Sequence, residues 1–228
     1  MTERRIQFAD DEYYHLYNRG NSKQLIFLDD EDRDRFTKLL YLCNSMKNIN
    51  FRDDIVNQEI DAFDFGRGEP IISIGTWVLM PNHFHLYVTP HSSSFDGLVK
   101  EGGISYFMRK LGTSYSMYFN KRHGRTGRLF ENVFKSTHIF NDEQAKYLFS
   151  YIHLNPVKLI DKNWKEQGIK DTKKALQFLS TYKWSSYNDY RGKKRPENRI
   201  ISPKDFPDYF SDPKVFDGEI LEWLNYKP

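Results

Sequence analysis

The amino-acid sequence predicts an α+β fold, because two kinds of pattern alternate along its 228 residues. Short segments with the aromatic or alternating character of β-strands take turns with longer segments whose apolar residues recur at helical spacing. In chain order the predicted elements are β-α-β-β-α-β, followed by one further helix. This order is typical of a ferredoxin-like split βαβ sheet with its helices on one face. We therefore expect one domain over residues 1–160 and an extension over residues 161–228 that packs on it.

Three segments make up the first part of this pattern. Residues 13–20 are aromatic and end in an Asn-Arg-Gly turn, which indicates a strand. Residues 29–47 begin with acidic side chains that suit a helix N-terminus. Their apolar residues recur at i, i+3, i+4 and i+7, as Phe36, Leu39, Leu40 and Cys43. Residues 48–69 lack a clean period and are predicted to be an irregular insertion with room for a short helix.

A hairpin, two helices and a strand complete the pattern. Residues 71–80 and 83–90 are β-like, and Pro81-Asn82 between them suits a tight turn. Residues 95–120, with Leu98 among their apolar positions, are predicted to be helical, and residues 131–140 regain β character. Asn141 is expected to cap a last helix. That helix should end before Pro156, because the residue that precedes a proline is disfavoured in the helical conformation.

Composition and charge limit the class of protein. The hydrophobic content of 39%, with 18 Phe and 15 Tyr, is enough for a packed core, and the single cysteine excludes an internal disulfide framework. No signal-peptide core and no run approaching ~18 apolar residues occurs, so we expect a cytoplasmic protein without a membrane span. The net charge is only +3, but residues 100–135 hold 8 Lys/Arg against 2 Asp/Glu. This middle segment is where we expect nucleic acid to bind.

Two histidines stand one residue apart in the strand "HFHLYVTP". Because side chains alternate along a strand, His83 and His85 should share one face, which we expect to be accessible, while Phe84 points into the core. Two imidazoles about 7 Å apart along a strand can converge on one metal ion. The alternative is a polar outer face that happens to contain histidines.

A second group of polar residues lies at the end of the last predicted helix, in "SYIHLNPVK". Tyr151 and Asn155 are four residues apart and should lie near each other on the helix surface. Asn155 could offer a carbonyl oxygen to a metal, and Tyr151 could act as a nucleophile if a cation or base promotes loss of its proton. The alternative is that Tyr151 packs at the edge of the core and Asn155 caps the helix.

Four motifs occur in a fixed order over residues 10–192: "MPNHFHLYV", "GRLFENVFKS", "YLFSYIHLNPVK" and "YKWSSYNDYRG". Together they resemble the IS200-like single-tyrosine HUH transposases, and among these the REP-associated tyrosine transposases. The resemblance implies an RRM-like catalytic domain in which the His-x-His strand lies beside the helix that carries the catalytic tyrosine. It assigns His83 and His85 as metal ligands, Asn155 as a third ligand and Tyr151 as the nucleophile, with Mg²⁺ or Mn²⁺ as the cofactor.

The implied reaction is cleavage and rejoining of single-stranded DNA at hairpin-associated sites through a 5′-phosphotyrosine link. The partner would be a DNA hairpin in the nucleoid, and the protein would act as a monomer or homodimer. Phosphate contacts are expected from the basic segment, through Lys121, Arg122, Arg125, Arg128 and Lys135. Tyr17, Tyr87, Phe130 and Trp184 are candidates for stacking on bases. Without the neighbouring motifs, a solvated charge run would be the favoured explanation of the basic residues.

Two other functions remain open at the level of sequence. A metal-dependent nuclease could use the histidines to activate water, with Tyr151 in a structural role. A catalytically inactive RRM-like module could bind DNA hairpins without cleaving them. The covalent mechanism differs from both because it predicts a protein–DNA adduct.

Overall fold

The computed structural model describes residues 8–91, 102–208 and 212–225, with the side chains of residues 223–225 left out. Its four-stranded antiparallel sheet has the strand order β2-β3-β1-β4. The strands are β1 (Tyr13–Arg19), β2 (Ile72–Met80), β3 (His83–Pro90) and β4 (Lys135–Ile139). Helix α1 (Asp30–Leu42) joins β1 to β2, and α2 (Gly103–Arg122) lies between β3 and β4. The predicted α+β class and element order are therefore confirmed.

Five α-helices follow the sheet in the part of the chain that the structure describes. They are α3 (Asp142–Leu154), α4 (Trp164–Gln167), α5 (Thr172–Thr181), α6 (Tyr187–Tyr190) and α7 (Phe216–Asn225). Short 3₁₀ segments occur at Asn21–Lys23, Asn155–Leu159, Pro196–Ile200 and Pro203–Asp205. In the part of the chain that the structure describes, no helix is both long and apolar enough to cross a membrane.

The sheet is covered on both faces. Phe84, Leu86 and Val88 face a large core that includes residues of α1 and α2. Val78, Met80 and Tyr87 belong to a second buried cluster with α3 and the C-terminal helices. The expectation that the His83/His85 face is accessible is therefore wrong, because α3 packs over it and leaves His85 only 7% exposed.

The C-terminal extension supplies much of this second cluster, through Trp164, Leu179, Tyr187, Phe216 and Ile220. The sequence did not indicate a second core there, because most of these elements are too short to show a period. A buried ion pair also holds the extension together: the Arg195 guanidinium donates to both carboxylate oxygens of Asp189, at 2.6 and 2.7 Å. Asn198 donates to the same carboxylate. Most of the donors around this buried carboxylate therefore come from the segment just after α6.

The structure adds detail to two of the predicted segments. Residues 95–101 lie outside the described residues, and α2 begins at Gly103. The preceding residue, Gly102, has a φ of +75°, which glycine adopts readily and most other residues avoid. The insertion at 48–69 contains one π-helical turn, Phe51–Val56, capped by the Asn50 side chain. Its residues Ile55 and Phe63 are buried in the first core. The insertion is therefore part of the domain's packing.

Local chemistry sets both ends of α3. The Asn141 carboxamide accepts from the Gln144 backbone N–H at 2.9 Å, while the Gln144 side chain accepts from the Phe140 backbone N–H at 3.0 Å. At the other end the chain passes into a 3₁₀ segment that begins at Asn155 and contains Pro156, which lacks the N–H that the next α-helical bond needs. Asn155 is thereby held at the junction, where it is buried.

A buried polar group joins α3 to the rest of the protein. The Nε2 atom of His153 lies 2.9 Å from Thr76 Oγ1 on β2 and 2.8 Å from Ser186 Oγ, and the two hydroxyls are 2.7 Å apart. All three side chains are fully buried. Because His153 is on the same helix as Tyr151, this group fixes how α3 sits on the sheet.

The burial of His153 makes stability depend on pH. Desolvation lowers the pKa of His153 to about 3, so the folded state keeps it neutral where the unfolded chain, with a pKa near 6.5, takes up a proton. Stability is therefore greatest above pH 6.5 and falls as the pH drops toward the folded pKa. We expect His153 alone to cost about 2 kcal/mol between about pH 7 and pH 5. Urea unfolding across this range measures the effect, and His153→Gln should reduce the slope of stability against pH; an unchanged slope would contradict the prediction.

Candidate active site

The two histidines of β3 lie side by side at the hairpin end of the strand. His83 and His85 project from the same face, and their ring centroids are 5.0 Å apart. Across the sheet His85 pairs with Val78 on β2 and Tyr17 on β1. The alternation that the sequence predicts is thus present, and it directs both imidazoles toward α3.

Tyr151 and Asn155 come from the end of α3 and meet these imidazoles. The Tyr151 ring centroid is 5.5 Å from that of His85, with the planes at 76°. The buried Asn155 side chain lies close enough to both His83 and Tyr151 to act on their pKa values, raising that of His83 and lowering that of Tyr151. The structure therefore brings together all four residues that the sequence motifs single out around one point.

A third imidazole supports the pair. His15 on β1 places its Nε2 atom 2.8 Å from His85 Nδ1, and the two rings stack with centroids 5.0 Å apart. Sequence reasoning missed His15, because its contact with His85 depends on the register of β1 against β3. The available signal was its position in "YYHLYN", where it shares a strand face with Tyr13 and Tyr17.

The hydrogen bonds leave one nitrogen of each β3 histidine for a ligand. His83 Nδ1 lies 2.7 Å from Asn82 Oδ1, which can only accept, so Nδ1 carries the proton and Nε2 keeps a lone pair. His85 Nδ1 is engaged by His15, and the buried His85 Nε2 has no hydrogen-bond partner among the described residues. A buried polar atom without a partner is costly unless something binds it. This donor set fits a divalent metal ion.

The metal would receive few charged ligands from the protein. Within residues 8–91, 102–208 and 212–225, no group of three or more His, Cys, Asp or Glu side chains could hold a metal ion by itself. The available donors are therefore two imidazoles and the Asn155 amide oxygen. Such a set leaves coordination positions for water and substrate oxygen.

Electrostatics keep the imidazoles neutral, which is the form that binds metal. Burial lowers the pKa of His15 and of His83 to about 4, with Lys165 and Lys158 respectively adding to the shift. Burial, followed by the neighbouring histidines, holds the pKa of His85 well below its usual value. All three rings are therefore ready to act as ligands or hydrogen-bond partners at neutral pH.

Two lysines surround the phenol. Burial raises the pKa of Tyr151, while the hydrogen bond from Asn155 and the charge of Lys158 lower it. The Lys165 ammonium lies 3.8 Å from the Tyr151 ring centroid, and burial lowers its own pKa. Sequence reasoning missed Lys165 because the contact depends on how the chain reverses after α3. The two lysines give the site a positive charge that suits a phosphate.

The basic segment after α2 is less uniform than its sequence. Lys121, Arg128 and Lys135 are exposed. Arg125 donates to Gln24 at 2.8 Å and lies against Phe119. Arg122 donates to the carboxylates of Asp29, Glu31 and Asp32, so its guanidinium is already occupied by α1.

The stacking candidates are mostly in the cores. Tyr87, Phe130 and Trp184 are buried, which leaves their faces unavailable to a base. Tyr17 is partly exposed and contacts the rings of His15 and His85. Of the four aromatic residues, Tyr17 is the one that remains a candidate.

Comparisons with known proteins give a single result. No family profile matches the sequence, and no curated protein matches it. Among solved structures, this chain is similar to a REP-associated tyrosine transposase bound to a REP hairpin. The similarity covers 93% of this chain and 94% of that one, with a TM-score of 0.48 and 16% sequence identity.

Proposed function

We propose that this protein cleaves and rejoins single-stranded DNA through a covalent link to Tyr151. The observation that carries the proposal is the position of the Tyr151 ring against the imidazole of His85, with 5.5 Å between their centroids and with His83 beside His85. A nucleophile, two neutral imidazoles and two lysines then surround one point. The order of elements and strands also supports a ferredoxin-like, RRM-like catalytic domain.

In the proposed reaction the Tyr151 oxygen attacks the scissile phosphorus. A bond forms between phosphorus and the phenol oxygen, the bond to the 3′ oxygen breaks, the phenol proton passes to water, and the leaving oxygen is protonated to a 3′-hydroxyl. Attack by a 3′-hydroxyl on the phosphotyrosine reverses these steps, so no nucleotide hydrolysis is needed. The products fit a 5′-phosphotyrosine intermediate.

Residues around the phenol would each have a part. His83, His85 and Asn155 would hold Mg²⁺ or Mn²⁺, which polarises the phosphoryl oxygen when bound. Imidazole ligands suit Mn²⁺ better than Mg²⁺, so we expect tighter binding of Mn²⁺. Lys158 and Lys165 would stabilise the negative charge of the phenolate and of the phosphate.

The exposed basic residues would bind the DNA backbone. Lys121, Arg128 and Lys135 could contact phosphates of a hairpin substrate, with Arg125 beside them. We leave Arg122 out of this role because three carboxylates already bind it. Since Tyr151 reaches His85 of its own chain, a monomer would hold a complete site, and this supports action in cis.

Formation of an adduct tests the proposal. The protein is incubated with single-stranded hairpin DNA labelled at its 3′ end, which the 5′-phosphotyrosine link would retain, and with Mn²⁺, and the products are separated under denaturing conditions. A labelled band at the mass of protein plus DNA is expected. Free cleaved DNA without an adduct would favour a nuclease that activates water, and binding without cleavage would favour an inactive hairpin-binding module.

His15 gives a prediction about metal affinity. When His85 Nε2 binds a metal, Nδ1 must carry the proton and donate it to His15 Nε2, which fixes the imidazole in the tautomer that the metal needs. We expect His15→Phe, which removes the acceptor, to weaken Mn²⁺ binding by about 10-fold to 100-fold, as measured by electron paramagnetic resonance titration. Tyr17→Phe changes a neighbouring ring on the same face and is the control. Equal affinities in the His15 variant and the wild type would contradict this role.

A further inference from the structure

A cavity of about 580 Å³ opens directly beside the candidate active site, between β4 and the first turns of α3. Its lining includes Thr137, Phe140, Tyr147 and Lys165, and it reaches His15 and Tyr151. The volume is in the range of small-molecule binding sites in proteins. The cavity is therefore continuous with the phenol and not a separate surface feature.

Large aromatic surfaces line this cavity without being buried in a core. Phe140 is 73% exposed and Tyr147 is 47% exposed. The rings of Tyr147 and Tyr151 are nearly parallel, with centroids 6.3 Å apart. Exposed aromatic side chains that gather around a cavity are typical of a binding site.

Three polar side chains in the lining, those of His15, His138 and Gln144, already have partners within the protein. The Gln144 side-chain oxygen accepts from the Phe140 backbone, and His138 is bonded to Glu12 at 2.6 Å. Flat apolar rings and the Lys165 ammonium are therefore the prominent recognition groups that remain. These groups suit a planar aromatic ring attached to a phosphate.

We propose that this cavity binds the base of the nucleotide next to the scissile phosphate, stacked on Tyr147 and Phe140. The inference rests on the proposed function, because Tyr151 and Lys165 belong both to the cavity lining and to the candidate active site where the phosphate would react. Every base has a flat face, so stacking of this kind tolerates different sequences. The cavity would position the strand, while the choice of hairpin would be made elsewhere on the protein.

Cross-linking tests where the base lies, without any need for cleavage. The Tyr151→Phe protein is mixed with random single-stranded oligonucleotides that contain 5-iodouracil, in the presence of EDTA, and irradiated. Mass spectrometry is expected to find the cross-links on Phe140 and Tyr147. Cross-links confined to other segments, such as residues 121–135, would overturn the inference, and so would the absence of any cross-link.

Affinity measurements supply the second test. Tyr147→Ala with Phe140→Ser should weaken binding of the same oligonucleotides by about 5-fold or more, which is the lower end of what the loss of one stacked base costs. These side chains are exposed, so the fold should survive the change. Met117→Ala removes an exposed apolar side chain on α2 and is the control.

The outcomes separate this inference from the proposed function. If the wild type forms the adduct but the double variant binds as tightly as Met117→Ala, the cavity assignment alone is wrong. If the double variant loses affinity but the wild type forms no adduct, the binding site stands and the covalent mechanism fails.

Discussion

Replacing Tyr151 with phenylalanine is expected to abolish the covalent protein–DNA adduct, a loss of about a thousand-fold or more. The change removes one hydroxyl and keeps the ring, which packs against His85 and below Lys165. The variant should therefore fold normally and bind single-stranded DNA as the wild type does. Denaturing electrophoresis with labelled DNA measures the adduct, and a filter-binding titration measures affinity.

Tyr106→Phe is a matched control for this experiment, since Tyr106 packs against the first core. It should form the adduct at the wild-type rate. An adduct that persists in Tyr151→Phe would show that another side chain is the nucleophile. Free cleaved DNA from the same variant would favour water as the attacking group.

Replacing His83 and His85 together with alanine is expected to abolish cleavage while most of the DNA affinity remains. The imidazoles would hold the metal, whereas exposed lysines and arginines elsewhere would hold the DNA backbone. Calorimetric titration with Mn²⁺ should show no binding at this site, and the adduct assay should give no product. Cleavage at the wild-type rate would contradict a role for a metal held by these histidines.

Because His85 is buried, its loss leaves a cavity and an unpaired nitrogen on His15. A urea unfolding curve of the double variant is therefore needed beside the activity assay. His83→Ala alone provides a second route, since His83 is only partly buried. His91→Ala, just beyond the opposite end of β3, is the control and should retain cleavage.

Much of the sheet could be predicted because its signals are local. The bounds of β3 match the prediction, and Asn141 caps α3 as the spacing to Gln144 suggests. Both depend on alternation or on a few neighbouring residues. The start of α2 does not follow from apolar spacing. Gly102 has a positive φ, which is not helical, and α2 begins at the next residue.

The candidate site could be predicted only in part. His83, His85, Tyr151 and Asn155 belong to short motifs, and the structure places them together. His15 depends on strand register and Lys165 on the path of the chain after α3, and neither is visible in a short window. The ion pairs of Arg122 could not be predicted for the same reason, because its carboxylate partners lie about ninety residues earlier in the chain.

The buried contact of His153 with Thr76 and Ser186 has a consequence for the rejoining of strands that we propose. This contact holds α3 against β2 only two residues from Tyr151. Moving the part of α3 that carries the phenol would therefore expose a fully buried polar group. A DNA end joined to Tyr151 would stay where the sheet holds it. The 3′ end that attacks the phosphotyrosine would therefore have to move to the site. The geometry of the folded DNA would then determine which two ends are joined.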